Sequence, residues 1–353
     1  MKAEKTHRLR AQLLDWYDAQ GRSLPWRIRP EDRAAGRKAD PYAVWLSEIM
    51  LQQTTVPHAT PYWFRFLELW PTVHDLANAD REAVMREWAG LGYYARARNL
   101  HACAKVVSHD RQGVFPHSLS DLQALPGIGE YTANAIRAAA FDLPASVVDG
   151  NVERVITRLK RVQEALPKAK AEIKALAGLI ADPDRSCDYA QAIMDLGATV
   201  CTPKTPNCLL CPWASDCEAR REGDILLYPK KEKKKPKPVR RGTAWLVRRD
   251  GHVWLRTRPD QGLLGGMREV PSTPWQEEVQ SEVLPPFEAL WRGHGEIKHV
   301  FTHFELRLDV REAYAMIDWE PEDGDWVAET ALAEEALPSV MRKVLKQASL
   351  KAK

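Results

Sequence analysis

Four of the six cysteines crowd into 17 residues as Cys201-x6-Cys208-x2-Cys211-x5-Cys217. The stretch is polar and contains prolines, so the chain there is free to wrap around a single centre. Four thiolates suit either zinc or an iron–sulfur cluster. Zinc sites usually pair short C-x2-4-C knuckles across a longer gap, whereas the contracted 6-2-5 spacing closes one compact loop better fitted to a [4Fe–4S] cubane. Cys103 and Cys187 stand apart, in stretches that read as helices, and are expected to be ordinary small residues. This is not the spread of cysteines that a secreted disulfide framework shows.

At 353 residues the chain exceeds the usual size of a single core, so two domains are expected. No apolar run approaches the roughly 20 residues a membrane helix needs, and the N-terminus lacks a signal peptide's apolar stretch. A soluble, cytoplasmic protein follows. The net charge of +3 is close to neutral for this size, so any surface for a polyanion must be local.

From the N-terminus to about Cys217 the periodicity is helical, with no convincing strand. Asp40-Pro41 reads as an N-cap and first-turn proline opening a helix through Val56, and Asp80 caps another that stops at Gly90-Leu91-Gly92. Further helices are expected at 94–108, 120–124, 130–140, 151–162, 168–181 and 187–199. Between Lys230 and Arg241 lie eight basic residues against one Glu, with prolines in and beside the run, which reads as a linker. After it the period changes. Residues 243–248, an Asp250-Gly251 turn and residues 252–257 make a hairpin signature, 297–301 and 303–314 read as two more strands, and 336–348 as a closing amphipathic helix. The expected domains are an all-α one over 1–220, with the cysteine loop at 201–217, a basic linker at 221–241, and an α+β one over 242–353.

Three features carry chemistry. Leu125-Pro126-Gly127-Ile128-Gly129, between two helical segments, is a hairpin whose glycines let backbone amides approach a phosphate, or else a plain helix connector. Asp149, in Val148-Asp149-Gly150-Asn151, is either a helix cap or an ionised carboxylate at a reaction centre. Glu48 sits inside the apolar segment VWLSEIML, where an unpaired carboxylate is expensive to bury. It shares a helical face with Trp45 and Gln52, which suggests a pocket.

Taken together, WLSEIMLQQTTV (45–56), GLGYYARARNLH (90–101), LPGIGEYTANAI (125–136), VVDGNVERVITRL (147–159) and the cysteine loop resemble the adenine DNA glycosylases of the MutY type, within the helix-hairpin-helix glycosylase superfamily. The blocks stand in family order and span nearly all of residues 8–220. Lyase-active relatives carry a lysine nucleophile where this sequence has Tyr131. The segment between Trp26-Arg27 and Asp40 (RPEDRAAGRKA) is longer and more basic than the family's.

The resemblance implies an all-α glycosylase domain with a [4Fe–4S] loop held by Cys201, Cys208, Cys211 and Cys217, followed by a Nudix-like (MutT-like) domain. It implies a monofunctional enzyme of base excision repair, monomeric and nucleoid-associated, acting on double-stranded DNA that contains adenine opposite 8-oxoguanine or guanine. Glu48 would be the general acid that protonates adenine N7. Asp149 would stabilise or attack the oxocarbenium-like sugar, with Asn151 and Tyr131 orienting it. Trp26, Arg27, Leu51 and Gln191 would line the adenine pocket, Gln53 and Thr54 would probe the vacated site, and the amides around Gly127 and Gly129 would hold phosphate. Phe301-Thr302-His303 resembles the family's lesion-reading Phe-Ser-His loop, with threonine in place of serine. The last domain lacks the REx2EExG metal-binding core of active Nudix enzymes and reads as a recognition module. The rival readings are a glycosylase with lyase activity, against which Tyr131 argues, a cluster-containing DNA-binding regulator, and a nucleotide hydrolase built on the second domain alone.

Overall fold

The computed structural model describes residues 3–232, 236–278 and 284–349. The chain forms two compact units, Met1–Ala79 with Asn99–Lys233 and Asp80–Arg98 with Lys234–Lys353.

Helices come first in chain order: α1 (Ala3–Gln20), α2 (Pro30–Ala34), α3 (Pro41–Leu51), α4 (Val56–Leu69), α5 (Val73–Asn78), α6 (Arg81–Glu87), α7 (Ala95–Lys105), α8 (Leu119–Gln123), α9 (Glu130–Phe141), α10 (Gly150–Leu159), α11 (Lys170–Ile180), α12 (Ser186–Asp195) and α13 (Glu218–Arg221). The caps act where the sequence puts them. Asp40 accepts from the Tyr42 amide and Asp80 from the Ala83 amide. The helix expected through Val56 is instead two. Helix α3 ends at Leu51, Gln53 takes a left-handed φ of 57° and Pro57 restarts the chain as α4, because apolar periodicity runs across the break while the backbone does not. Both α7 and α12 run on into a π-helical turn, at Val106–Asp110 and Leu196–Val200.

In the first unit, apolar residues of α1 (Leu9, Leu13, Tyr17), α10 (Val155, Ile156), α11 (Ile173, Ile180) and α12 (Ile193) form one buried core with Trp213 of the cysteine loop. A smaller cluster of Ala135, Ala138, Val147 and Ala190 lets α9 and α12 approach closely, with Tyr131 and Met194 against it.

In the second unit, β1 (Val239–Arg249), β2 (His252–Thr257), β3 (Arg268–Glu269), β4 (Arg292–Val300), β5 (Glu305–Tyr314) and β6 (Asp325–Ala328) form a mixed sheet of order β3-β2-β1-β5-β4, with β6 on β2. Strands β1 and β5 are parallel and their other pairings antiparallel. Asp250 and Gly251 both have positive φ, the requirement of a tight two-residue hairpin turn. Helix α14 (Ser339–Ser349) lays Val340, Met341 and Val344 on the sheet face formed by Leu246, Leu255, Leu306 and Leu308.

The basic linker is shorter than the charge run suggests. Tyr228 is buried in the first unit, where its carbonyl accepts from Arg158, and Glu232 pairs through its amide with Leu166. Val239–Arg241 already belong to β1. Part of the run, residues 233–235, lies outside the described residues.

Candidate active site

Glu48 sits in the last turns of α3, where Trp45, Ile49 and Met50 on either side are buried. The residue as a whole is half-buried, yet burial pushes its pKa up to about 7, and Asp149 raises it further by like charge; Arg27 and a hydrogen bond from Tyr131 oppose the rise. The group is therefore poised to hold a proton near neutrality and to give it up. Tyr131 projects from α9, which packs on α3, and its hydroxyl donates to Oε2 of Glu48 at 3.3 Å. The hydrogen bond of Tyr131 thus goes to Glu48, while the charge of Asp149 also acts on the phenol.

Asp149 is at once the N-cap of α10 and the second carboxylate of the site. Oδ1 accepts from the Val152 amide at 2.7 Å and Oδ2 from Nδ2 of Asn151 at 2.8 Å. Asn151 is fixed in turn, since its Oδ1 accepts from Arg154 at 2.9 Å. The same guanidinium donates to the carbonyls of Gly197 at 2.7 Å and Cys201 at 2.8 Å. Asp149 is thus tied through two side chains to the backbone of the first loop cysteine.

The third wall comes from α12, whose Cys187, Gln191, Met194 and Asp195 recur at helical spacing on one face. Asp195 is fully buried and takes a bidentate pair from Arg27, at 2.9 and 3.0 Å, together with the backbone amide and Nε of Arg22. This places the Arg27 charge near enough to act on Glu48. Met194 Sδ lies 3.6 Å from the Tyr131 hydroxyl. Gln191 is 3% exposed, with Oε1 accepting from Tyr17 and Nε2 donating to Cys187, so it is part of the wall more than of the open surface. Trp26 packs edge-on against Trp63.

The other expected residues fall on exposed turns. Leu51, half-buried, ends α3, and in the kinked junction after it Gln53 is exposed and Thr54 half-buried. Gly127 has φ +75°, and a Cβ there would meet the Asn99 side chain at 2.7 Å, so glycine is required; Gly129 caps α9 with open space around it. In the second unit the Phe301 amide bonds the Phe304 carbonyl, closing a tight turn that leaves Thr302 and His303 exposed.

The four loop cysteines are free thiols. Cys201 acts by like charge on Cys208, Cys211 and Cys217, and all three are held above the ordinary thiol range, mainly by burial. Arg158 donates to Sγ of Cys201 at 3.3 Å, and its carbonyl lies 3.4 Å from Sγ of Cys217. Among the described residues no three His, Cys, Asp or Glu side chains converge as a ready-made ion site.

Sequence reasoning missed Tyr17, Arg22, Arg154, Met194 and Asp195. Only the i, i+3 and i, i+4 spacings from Asn151 and Gln191 hint at Arg154, Met194 and Asp195, since their partners lie far off in the chain. Tyr93, exposed at a left-handed φ of 50° in the Gly-Leu-Gly-Tyr-Tyr loop, is another conspicuous side chain.

Residues 46–181 match the model of the HhH-GPD superfamily base excision DNA repair proteins, and residues 243–347 that of the NUDIX domain. The human adenine DNA glycosylase is 33% identical over 96% of this chain and 73% of its own length. The chain belongs to the adenine DNA glycosylase family. A mouse member of the family is 34% identical over 96% of this chain and 77% of its own. The chain is also similar to the structure of a thermostable thymine-DNA glycosylase, at 26% identity and a TM-score of 0.55 over 62% of this chain and 98% of that one. The family's helical domain and NUDIX domain are both present, in that order. No helix among the described residues is long and apolar enough to cross a membrane.

Proposed function

We propose that this chain is a monofunctional glycosylase that releases adenine from duplex DNA where it is mispaired with 8-oxoguanine or guanine. The observation that carries the reading is the pairing of Glu48, its carboxyl raised to about 7, with Asp149, held by Asn151 and the α10 amide.

Reaching a base for this chemistry requires extruding its nucleotide, at a cost of a few kcal/mol that pocket contacts offset. Glu48 in its protonated form gives its proton to adenine N7, which makes the base a tolerable leaving group. Asp149, ionised, faces the positive charge that grows on the sugar as the bond breaks, or attacks it before water completes hydrolysis; two carboxylates divided in this way follow glycosidase logic. Arg27 stabilises Glu48 once the proton has left. Trp26 and Leu51 supply apolar surface for the base, Gln53 and Thr54 meet the gap it leaves, and the amides about Gly127 and Gly129 receive phosphate. Position 131 holds a phenol and no amine, so no Schiff base with the sugar forms there.

Cys201, Cys208, Cys211 and Cys217 would hold a [4Fe–4S] cluster, which supplies a rigid cross-link to the loop. The fit rests on four unlinked thiols near enough to influence one another and on the Arg158 guanidinium beside Cys201, which offsets thiolate charge. Phe301, Thr302 and His303 would read the oxidised guanine.

The deciding experiment is a single-turnover glycosylase assay on adenine opposite 8-oxoguanine, guanine and thymine. Release from the first two and not the third is expected; release from all three alike, or from none, overturns the reading.

A further inference from the structure

The basic segment after Arg27 takes no part in the reaction above, yet it reaches the wall of the site. Helix α2 turns Arg33 inward. Its Nη2 donates to Sγ of Cys187 at 2.8 Å and to the Ile28 carbonyl at 3.2 Å, while Nη1 pairs with Asp188 at 3.2 Å and Asp142 at 3.6 Å. Asp142 also accepts the Cys187 amide at 2.7 Å. One turn along α12, Gln191 points Nε2 at the same sulfur, again at 2.8 Å, and its Oε1 accepts from Tyr17.

These contacts have a polarity. A guanidinium is a donor only and never gives up its charge in a protein. Against it, the sulfur of Cys187 must accept, and its own proton is left to point at the Ala139 carbonyl, 3.7 Å away. With that proton committed to Ala139, the sulfur has only lone pairs left for Gln191, which turns its NH2 end to it and its carbonyl end to the opposite side. There it meets Tyr17, whose hydroxyl is pushed up to about 12, mainly by burial, and so stays a donor. One lone pair of Oε1 remains for a second donor. An amide turned the other way would present N–H groups instead.

We propose that Arg33 is a positioning residue that fixes, through Cys187, which end of the Gln191 amide is offered to the base, and so favours a 6-amino over a 6-oxo purine. This rests on the adenine reading of the site. An amino group at C6 donates to the free lone pair of Oε1, whereas a 6-oxo group would face it acceptor to acceptor.

The test uses the full chain and duplexes carrying adenine or hypoxanthine opposite 8-oxoguanine, with single-turnover release rates of each. The wild type favours adenine. Arg33→Met, which removes the donor, and Cys187→Ala, which removes the acceptor, should each narrow the adenine-to-hypoxanthine ratio about fivefold, the worth of one hydrogen bond. Arg33→Lys, also donor-only, should keep it. A purely structural role would lower melting temperature and both rates together without moving the ratio. An unchanged ratio in Arg33→Met and Cys187→Ala overturns the proposal while leaving the adenine reading intact; should Arg33→Met fail to fold, Cys187→Ala alone decides. A wild-type protein that releases no adenine removes both.

Discussion

The hydroxyl of Tyr131 donates to Oε2 of Glu48 at 3.3 Å, and that bond favours the charged carboxylate. Burial wins against it and leaves Glu48 near 7. A general acid acts only in its protonated form, so the release rate should be flat below pH 7 and fall about tenfold per unit above it. Tyr131→Phe removes a contact that lowers the pKa and should shift the descending limb to higher pH. Single-turnover rates from pH 5.5 to 9 check both statements; a limb that does not move detaches Tyr131 from Glu48.

Replacing either carboxylate should separate catalysis from binding. Glu48→Gln and Asp149→Asn are each expected to lower base release at least a hundredfold and to leave affinity for mispaired duplex largely intact. Asparagine caps a helix as well as aspartate does, so the second variant keeps the start of α10. Full activity in either would end the two-carboxylate mechanism.

Glu48 also sets a pH dependence of stability. A carboxyl whose folded value is about 7, against an ordinary 4.5, binds its proton more tightly in the folded state. Stability is therefore greatest below pH 4.5 from this group and declines as pH rises to 7, by up to about 3 kcal/mol. Glu48→Gln should melt higher than the wild type at pH 8, with the gap closing toward pH 4.5. Calorimetric scans at both pH values test it, and equal melting temperatures at pH 8 would contradict the raised pKa.

Purified protein should be brown, with iron near four per chain, and Cys211→Ala should lose both colour and iron. Zinc in place of iron would refute the cluster.

For the second unit, Thr302→Ala combined with His303→Ala should reduce the preference for adenine opposite 8-oxoguanine over adenine opposite guanine several-fold, since one hydrogen bond to the lesion edge is worth roughly that much. The chemical step on engaged adenine should change less than in Glu48→Gln. A wild-type ratio between the two mispairs would move lesion reading to the helical unit.

Much of this was legible in local sequence. The caps at Asp40 and Asp80, the Asp250-Gly251 turn and the cysteine spacing are short-range signals, set within a few residues. Glu48 stood out because a carboxylate within an apolar helix demands a reason. The break at Gln53 was hidden, because the apolar pattern continues through it and only the backbone angle changes. The start of β1 was hidden by charge, since Arg240 and Arg241 read as linker until β5 pairs with them. Most obscure were the long-range partners. Asp195 lies 168 residues from Arg27, and nothing at either position announces the other. The same holds for Tyr131, whose choice between two carboxylates depends on how α9 packs against α3.

Asp149 and Glu48 differ in what they ask of the fold. In the proposed mechanism Glu48 works because its surroundings oppose its charge, so a better-behaved residue there should make a sturdier and inactive protein. Asp149 is satisfied by its surroundings. The oxygens that face the sugar in the reaction proposed here are the ones that close the first turn of α10 and anchor Asn151. Random variation that removes it by Asp149→Ala loses a cap, at about 1 kcal/mol, together with the chemistry. A lineage drifting toward stability can therefore shed Glu48 readily, whereas at position 149 folding alone retains a capping side chain, aspartate or asparagine, even in a descendant that no longer cuts.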